Sequence, residues 1–165
     1  MIWRILAQIF LFVMCAVLQT TVASWIEILG VRPDFFVIFI VFIALGRGAA
    51  VGALWGFIAG FSQDVYAPAE WLGAGTIAFT VLGFLVGLLE ERFITLNLGL
   101  KIVVLAIGFF VSDFIYYLLI EVPSDSLTRI FLTISLPECI YTVLFATLVF
   151  YLFSRKNTKK NHVKG

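Results

Sequence analysis

From Ile5 to Ile26 the chain runs for 22 residues without a single Asp, Glu, Lys or Arg. A helix rises about 1.5 Å per residue and a bilayer's hydrocarbon core is about 30 Å thick, so this run is long enough to cross a membrane. Five more apolar segments follow: Phe35–Gly46, Ala49–Ser62, Gly73–Leu89, Leu100–Ile120 and Ile130–Phe153. The second and third of the six are short, at 12 and 14 residues. Charged residues make up 13% of the chain and hydrophobic ones 62%. A soluble domain carries about 25% charge, and this chain has too little to cover a core with polar surface. The expected fold is therefore an all-α integral membrane protein.

Charge placement sets the expected topology. Phe35–Ser62 reads either as one long helix with Arg47 at its centre or as two short helices turning at Gly46-Arg47-Gly48. A mid-membrane arginine costs about 2.5–3.5 kcal/mol on insertion scales, which favours two helices. With six spans, nine of the 11 cations fall on one side: Arg4, Arg47, Arg92, Lys101, Arg155, Lys156, Lys159, Lys160 and Lys164. Arg32 and Arg129 fall on the other. Positive charge accumulates on the cytoplasmic side, so both termini are expected there. The expected organisation is a single six-helix transmembrane domain over residues 1–154, with a basic cytoplasmic tail over 155–165. The tail reads as a segment touching anionic lipid headgroups. Nothing points to nucleic acid. The N-terminal Arg4 and apolar run imitate a signal peptide, but the run outlasts a typical cleavable core and more spans follow.

Few residues suggest chemistry. Cys15 and Cys139 sit inside apolar runs, and the single histidine, His162, lies among tail lysines. Metal and Ser-His chemistry are thereby disfavoured. There is no G-x-S-x-G and no D-x-x-D-type acidic cluster. We expect no enzyme activity, no metal and no cofactor.

The third segment carries glycine at strict four-residue intervals: Gly48, Gly52, Gly56 and Gly60, with Asp64 on the next step. In lipid, apolar side chains gain little by leaving the tails for one another, so helices associate where small residues let backbones approach. Gly83 and Gly87 give the fourth helix a matching face. The ridge serves either packing inside the chain or a partner helix. Asp64 serves either as a cap on the third helix or the following turn, or as an outer-face contact.

An ordered set of motifs then becomes apparent. Leu18–Thr21 reads LQTT, Arg32–Gly48 reads RPDFFVIFIVFIALGRG, Gly52–Asp64 reads GALWGFIAGFSQD and Leu72–Gly87 reads LGAGTIAFTVLGFLVG. Together they resemble the bacterial rod shape-determining protein MreD family. The matching positions are Pro33-Asp34 before the second span, the glycines and Asp64 of the third, Gly73 opening the fourth, and Pro137 in the last. The resemblance is specific from Leu18 to Gly87 and rests on topology and length beyond Leu88. It implies a non-enzymatic inner-membrane protein of the cell-elongation machinery, similar in build to the six-helix S-components of ECF-type transporters. It also implies a partner, the single-span protein MreC, and through it MreB filaments and the peptidoglycan synthases. Homo-oligomerisation stays open.

Two acids remain, Asp113 in the fifth segment and Glu138 in the sixth. Each is about eight residues from the end facing away from the tail, roughly 12 Å deep. Intramembrane acids invite a functional reading. Either they form a neutral hydrogen-bonded pair, helped by Ser112, Tyr116, Ser135 and the backbone near Pro137, or they face a wet cavity, a ligand or a partner. An S-component-like small-molecule (vitamin) binder is the alternative function. The first helix lacks the A-x-x-x-A pair that S-components commonly use for docking, since Ala16 is followed four residues on by Thr20.

Overall fold

The computed structural model describes residues 2–27, 30–90 and 98–161, and their side chains apart from residues 24, 124 and 149–161. Arg92, His162 and Lys164 of the sequence argument lie outside the described residues. Among the described residues the architecture is six helices. The first, α1, starts as Ile2–Val17, passes through a π-helical turn at Leu18–Val22 and ends in Ala23–Trp25. Next come α2 (Phe35–Arg47), α3 (Ala49–Asp64), α4 (Ala74–Gly87) and α5 (Leu98–Leu119). The last, α6, is built from Ser124–Ile130, a π-helical turn at Phe131–Ser135 and Leu136–Asn161. Among the described residues four helical stretches are long and apolar enough to cross a membrane: Ile2–Val22, Ala69–Gly87, Leu98–Leu119 and Asp125–Leu148.

The short helix α2 is the centre of the bundle. Ten of its residues, Phe35 to Val41 and Ile43 to Leu45, are buried. A helix that is hydrophobic all round belongs inside protein. Phe36 and Phe39 pack on Phe12 of α1. Phe39 meets Trp55 of α3 edge-on at 5.3 Å, and Phe35 meets Phe145 of α6 edge-on at 5.5 Å. This explains the length that stood out in the sequence. Thirteen residues span only about 20 Å, but a helix jacketed by other helices need not match the bilayer.

Two glycine-dependent features set the hairpin of α2 and α3. Gly48 joins them with φ at +83°, a conformation that L side chains rarely adopt. Beyond the turn the helices run antiparallel, and a Cβ on Gly52 would lie 2.7 Å from the Ala44 methyl.

Both π-helical turns have identifiable local support. Pro137 cannot donate to the carbonyl of Thr133, four residues back, and the π turn at Phe131–Ser135 absorbs that break. The Thr133 hydroxyl donates to the Arg129 carbonyl at 2.7 Å. In α1 the Thr20 hydroxyl donates to the Ala16 and Val17 carbonyls.

Two element boundaries differ from the expectation. Helix α6 begins at Ser124, two turns before Ile130, because Pro123 and the polar Ser124-Asp125-Ser126 stretch form a helix start that an apolar count passes over. Glu138 therefore lies fourteen residues into that helix, not eight. At the other end α6 continues to Asn161, past the end of the apolar segment at Phe153 and into the basic residues. Trp3 and Trp25 stand exposed near the two ends of α1.

Because Phe39 fills the junction of α1, α2 and α3, Phe39→Ala is expected to cost about 3 kcal/mol through the cavity it leaves. Reversible unfolding of the protein in mixed micelles measures this. Phe61→Ala, at an exposed position on α3, should stay within about 0.5 kcal/mol of the parent.

Candidate functional site

The ridge glycines of α3 face α4. A Cβ on Gly60 would lie 2.5 Å from the Gly75 carbonyl oxygen and 2.6 Å from the Thr76 Cα. On Gly56 it would strike the Phe79 carbonyl, on Gly52 the Gly83 carbonyl, and on Gly83 the Gly52 carbonyl. A Cβ on Gly87 would run into Ala49. The two helices thus lie backbone against backbone, antiparallel, over most of their length. Gly75 belongs to this contact and was not among the sequence candidates. The gap in the α4 pattern falls at Phe79, where Gly56 meets the main-chain carbonyl and not the ring. A residue of any size fits there, so a search for small residues at every step breaks at that point.

Asp64 closes the contact. It is 1% exposed. Its Oδ1 accepts from the Gly75 amide at 3.0 Å. Its Oδ2 accepts from the amides of Gly73 and Thr76 at 3.0 and 2.8 Å, and from the Thr76 hydroxyl at 2.5 Å. These are the free N–H groups at the start of α4, which no intrahelical carbonyl can serve. Asp64 therefore caps the next helix and not its own, and an anion there also meets the favourable end of the helix dipole. Gly73 supplies the left-handed step, φ +99°, that turns the chain into α4.

Asp34 performs the same task for α2. Its Oδ1 accepts from the Phe36 and Val37 amides at 2.8 and 3.0 Å. The Phe35 amide donates to Gln19 Oε1 in the π turn of α1 at 2.8 Å. The Asp34 amide donates to the buried Thr142 hydroxyl of α6 at 2.9 Å. Pro33, which has no amide to satisfy, packs fully buried just ahead of the cap. Pro33, Asp34, Asp64 and Gly73 are thus all parts of two buried helix starts. Gln19, Thr142 and Gly75 complete them: Gln19 and Gly75 lie inside the LQTT and LGAG stretches without standing out there, Thr142 lies outside every motif, and each acquires its role across the bundle.

Thr142 places the start of α2 level with the middle of α6, one helical turn from Glu138. Helix α2 also touches α5 and α6, and polar groups of the three helices come together near its start. The carboxylates of Asp34, Asp113 and Glu138 lie within electrostatic reach of one another, and Arg32 is the cation within reach of Asp34 and Glu138. Ser135, at the end of the π turn in α6, sits beside Asp113 and Tyr117. Its hydroxyl is within hydrogen-bonding reach of the Asp113 carboxylate and the Tyr117 hydroxyl. Asp113 and Glu138 are not hydrogen-bonded to each other; the Ser112 hydroxyl turns back to the Phe109 carbonyl at 2.8 Å. Among the described residues no group of three His, Cys, Asp or Glu side chains converges to hold a metal ion.

Two substitutions test the α3–α4 contact. Gly56→Ala should force the helices apart and lower stability by about 2 kcal/mol, while Gly46→Ala, with open space at its Cβ, should be neutral or slightly stabilising. Asp64→Ala leaves four donors without an acceptor and should cost about 3 kcal/mol or more. Thermal aggregation of the purified protein ranks the variants; equal melting of Gly56→Ala and Gly46→Ala would contradict the contact.

No curated protein and no solved structure matches the chain. The family model for the rod shape-determining protein MreD matches residues 1–160, which takes in both capped helix starts, the glycine contact and the polar cluster. The chain belongs to the MreD family, a family of membrane proteins with a role in determining rod shape.

Proposed function

We propose that this protein is a non-enzymatic scaffold of the bacterial cell-elongation machinery. It holds MreC in the cytoplasmic membrane and through it helps to position peptidoglycan synthesis. The observation that carries this reading is the family match over residues 1–160. In this reading all six helices cross the bilayer, α2 as a helix covered by the others, with both termini in the cytoplasm. The positive-inside count supports that orientation.

The build of the bundle suits a scaffold. Gly52, Gly56, Gly60, Gly83 and Gly87 are covered within the chain, and the Asp34 and Asp64 carboxylates are occupied by backbone amides. The partner surface is sought elsewhere. Helix α1 contributes one buried residue, Gln8, from Ile2–Val17. Leu6, Phe10, Val13 and Val17 form an exposed stripe at helical spacing. We assign the contact with the MreC membrane helix to this stripe.

A photo-crosslinking residue at Phe10 or Val17 should capture MreC in native membranes, and one at Phe57 or Phe61 on α3 should not. Gentle solubilisation with mass spectrometry tests the wider reading. MreC recovered in stable ratio supports it. A tightly bound metabolite, or an ATPase pair with its membrane coupler, would replace it with the vitamin-binding alternative.

A further inference from the structure

A groove runs between α4 and α5 on the outside of the bundle. Its volume is about 170 Å³, and all eight residues that line it are apolar. Leu82, Val86 and Gly108 are buried and form its floor, while Leu85 and Ile107 stand exposed at its rims. Gly108 shapes the floor, because a Cβ there would lie 2.7 Å from Leu82 Cδ1. The absent side chain lets Leu82 sink against α5. Both helices belong to stretches long and apolar enough to cross a membrane, so the groove opens to lipid. An apolar cavity of about 150 Å³ is enough to take in a benzene ring. A groove of this size and lining therefore has room for hydrocarbon and nothing to offer a polar ligand.

A charge at one end identifies the occupant. Val104, Gly108 and Val111 line the groove from α5, and Lys101 precedes them by three, seven and ten residues. Those spacings put Lys101 on the groove side of the helix. It is half-buried and is the one basic residue of Leu98–Leu119. A lysine lays its methylenes along apolar surface and keeps its ammonium at the membrane interface. From Lys101 to Val111 the helix rises about 15 Å, half of a 30 Å hydrocarbon core and thus the depth of one leaflet. The positive charge stands at headgroup level, and the groove leads inward from it. The acid at this end of α4 is turned elsewhere: the Glu90 carboxylate lies where a side chain on Gly48 would go, at the turn between α2 and α3.

We propose that the α4–α5 groove holds one acyl chain of an anionic phospholipid whose phosphate pairs with Lys101. Basic sites between transmembrane helices recognise such headgroups. A partner helix would meet neither a polar group nor a ridge of small residues in this groove, the features by which helices associate in lipid. The bound lipid ties α4 to α5 and complements the glycine contact that ties α4 to α3. This inference rests on α4 and α5 facing lipid, not on MreC.

The test is thermal stability of the full-length protein, washed of native lipid in uncharged detergent. Dioleoylphosphatidylglycerol, dioleoylphosphatidylcholine or glycerol phosphate is added at equal ionic strength. The two lipids share their chains and differ in headgroup charge. At ten times its half-saturating level, phosphatidylglycerol should raise melting by about 4 °C, phosphatidylcholine by less, and glycerol phosphate not at all. Lys101→Gln should remove the difference between the lipids, and Lys101→Arg should keep it. Val104→Phe, which fills the groove, should remove the effect of both. Arg129→Gln, on α6, should change nothing. Lys101→Gln decides the matter if Val104→Phe fails to fold. Equal stabilisation of the parent by the two lipids overturns the proposal. So does a phosphatidylglycerol advantage unchanged in Lys101→Gln, a full lipid effect in Val104→Phe, or the same shift from glycerol phosphate alone.

Discussion

The backbone contact between α3 and α4 is the constraint from which the rest of the bundle follows. Helices in lipid gain nothing from hydrophobic burial against each other, so a specific arrangement needs close packing or polar contacts. Here both act along one seam. Glycines remove the side chains that would hold the helices apart, and at the end of the seam Asp64 ties the last turn of α3 to the first amides of α4. The pair forms a wall, and α2 lies along it with Ala44 against Gly52 and Phe39 against Trp55.

Once α2 is enclosed, its polar requirements change. A spanning helix ends near water, which serves its free amides. Helix α2 starts inside the bundle, so protein must serve them. Asp34 accepts from two of them, Gln19 from a third, and Thr142 holds the cap residue itself. The acceptors Gln19 and Thr142 come from α1 and α6, so satisfying the start of α2 also fixes where the outer helices stand. The π-helical turns fit the same scheme. Each adjusts the register of a long outer helix so that one polar side chain, Gln19 or Ser135, faces inward at this level.

The acids then separate by their partners. Asp34 and Asp64 are consumed by backbone amides and are structural. Asp113 and Glu138 receive no such bonds; they lie within electrostatic reach of each other and of Asp34. Four carboxylates that look alike as charges in apolar sequence have thus come to two different uses.

The sequence by itself determined the class and the outline. Long uncharged runs force helices in lipid, since a backbone without water must bond to itself. The period of four in glycine marked a close helix contact, because only a missing side chain admits another backbone. The ordered motifs between Leu18 and Gly87 pointed to the family that the match over residues 1–160 shows. What the sequence left open depended on neighbours distant along the chain. Whether the ridge faced inward, that Asp64 capped the following helix, and that Asp34, Asp113 and Glu138 met at one level were all decided by how helices stack. The shortness of α2 is the clearest case. In the sequence it looked like a helix too short for its membrane, and only the tertiary structure showed that protein, and not lipid, was its solvent.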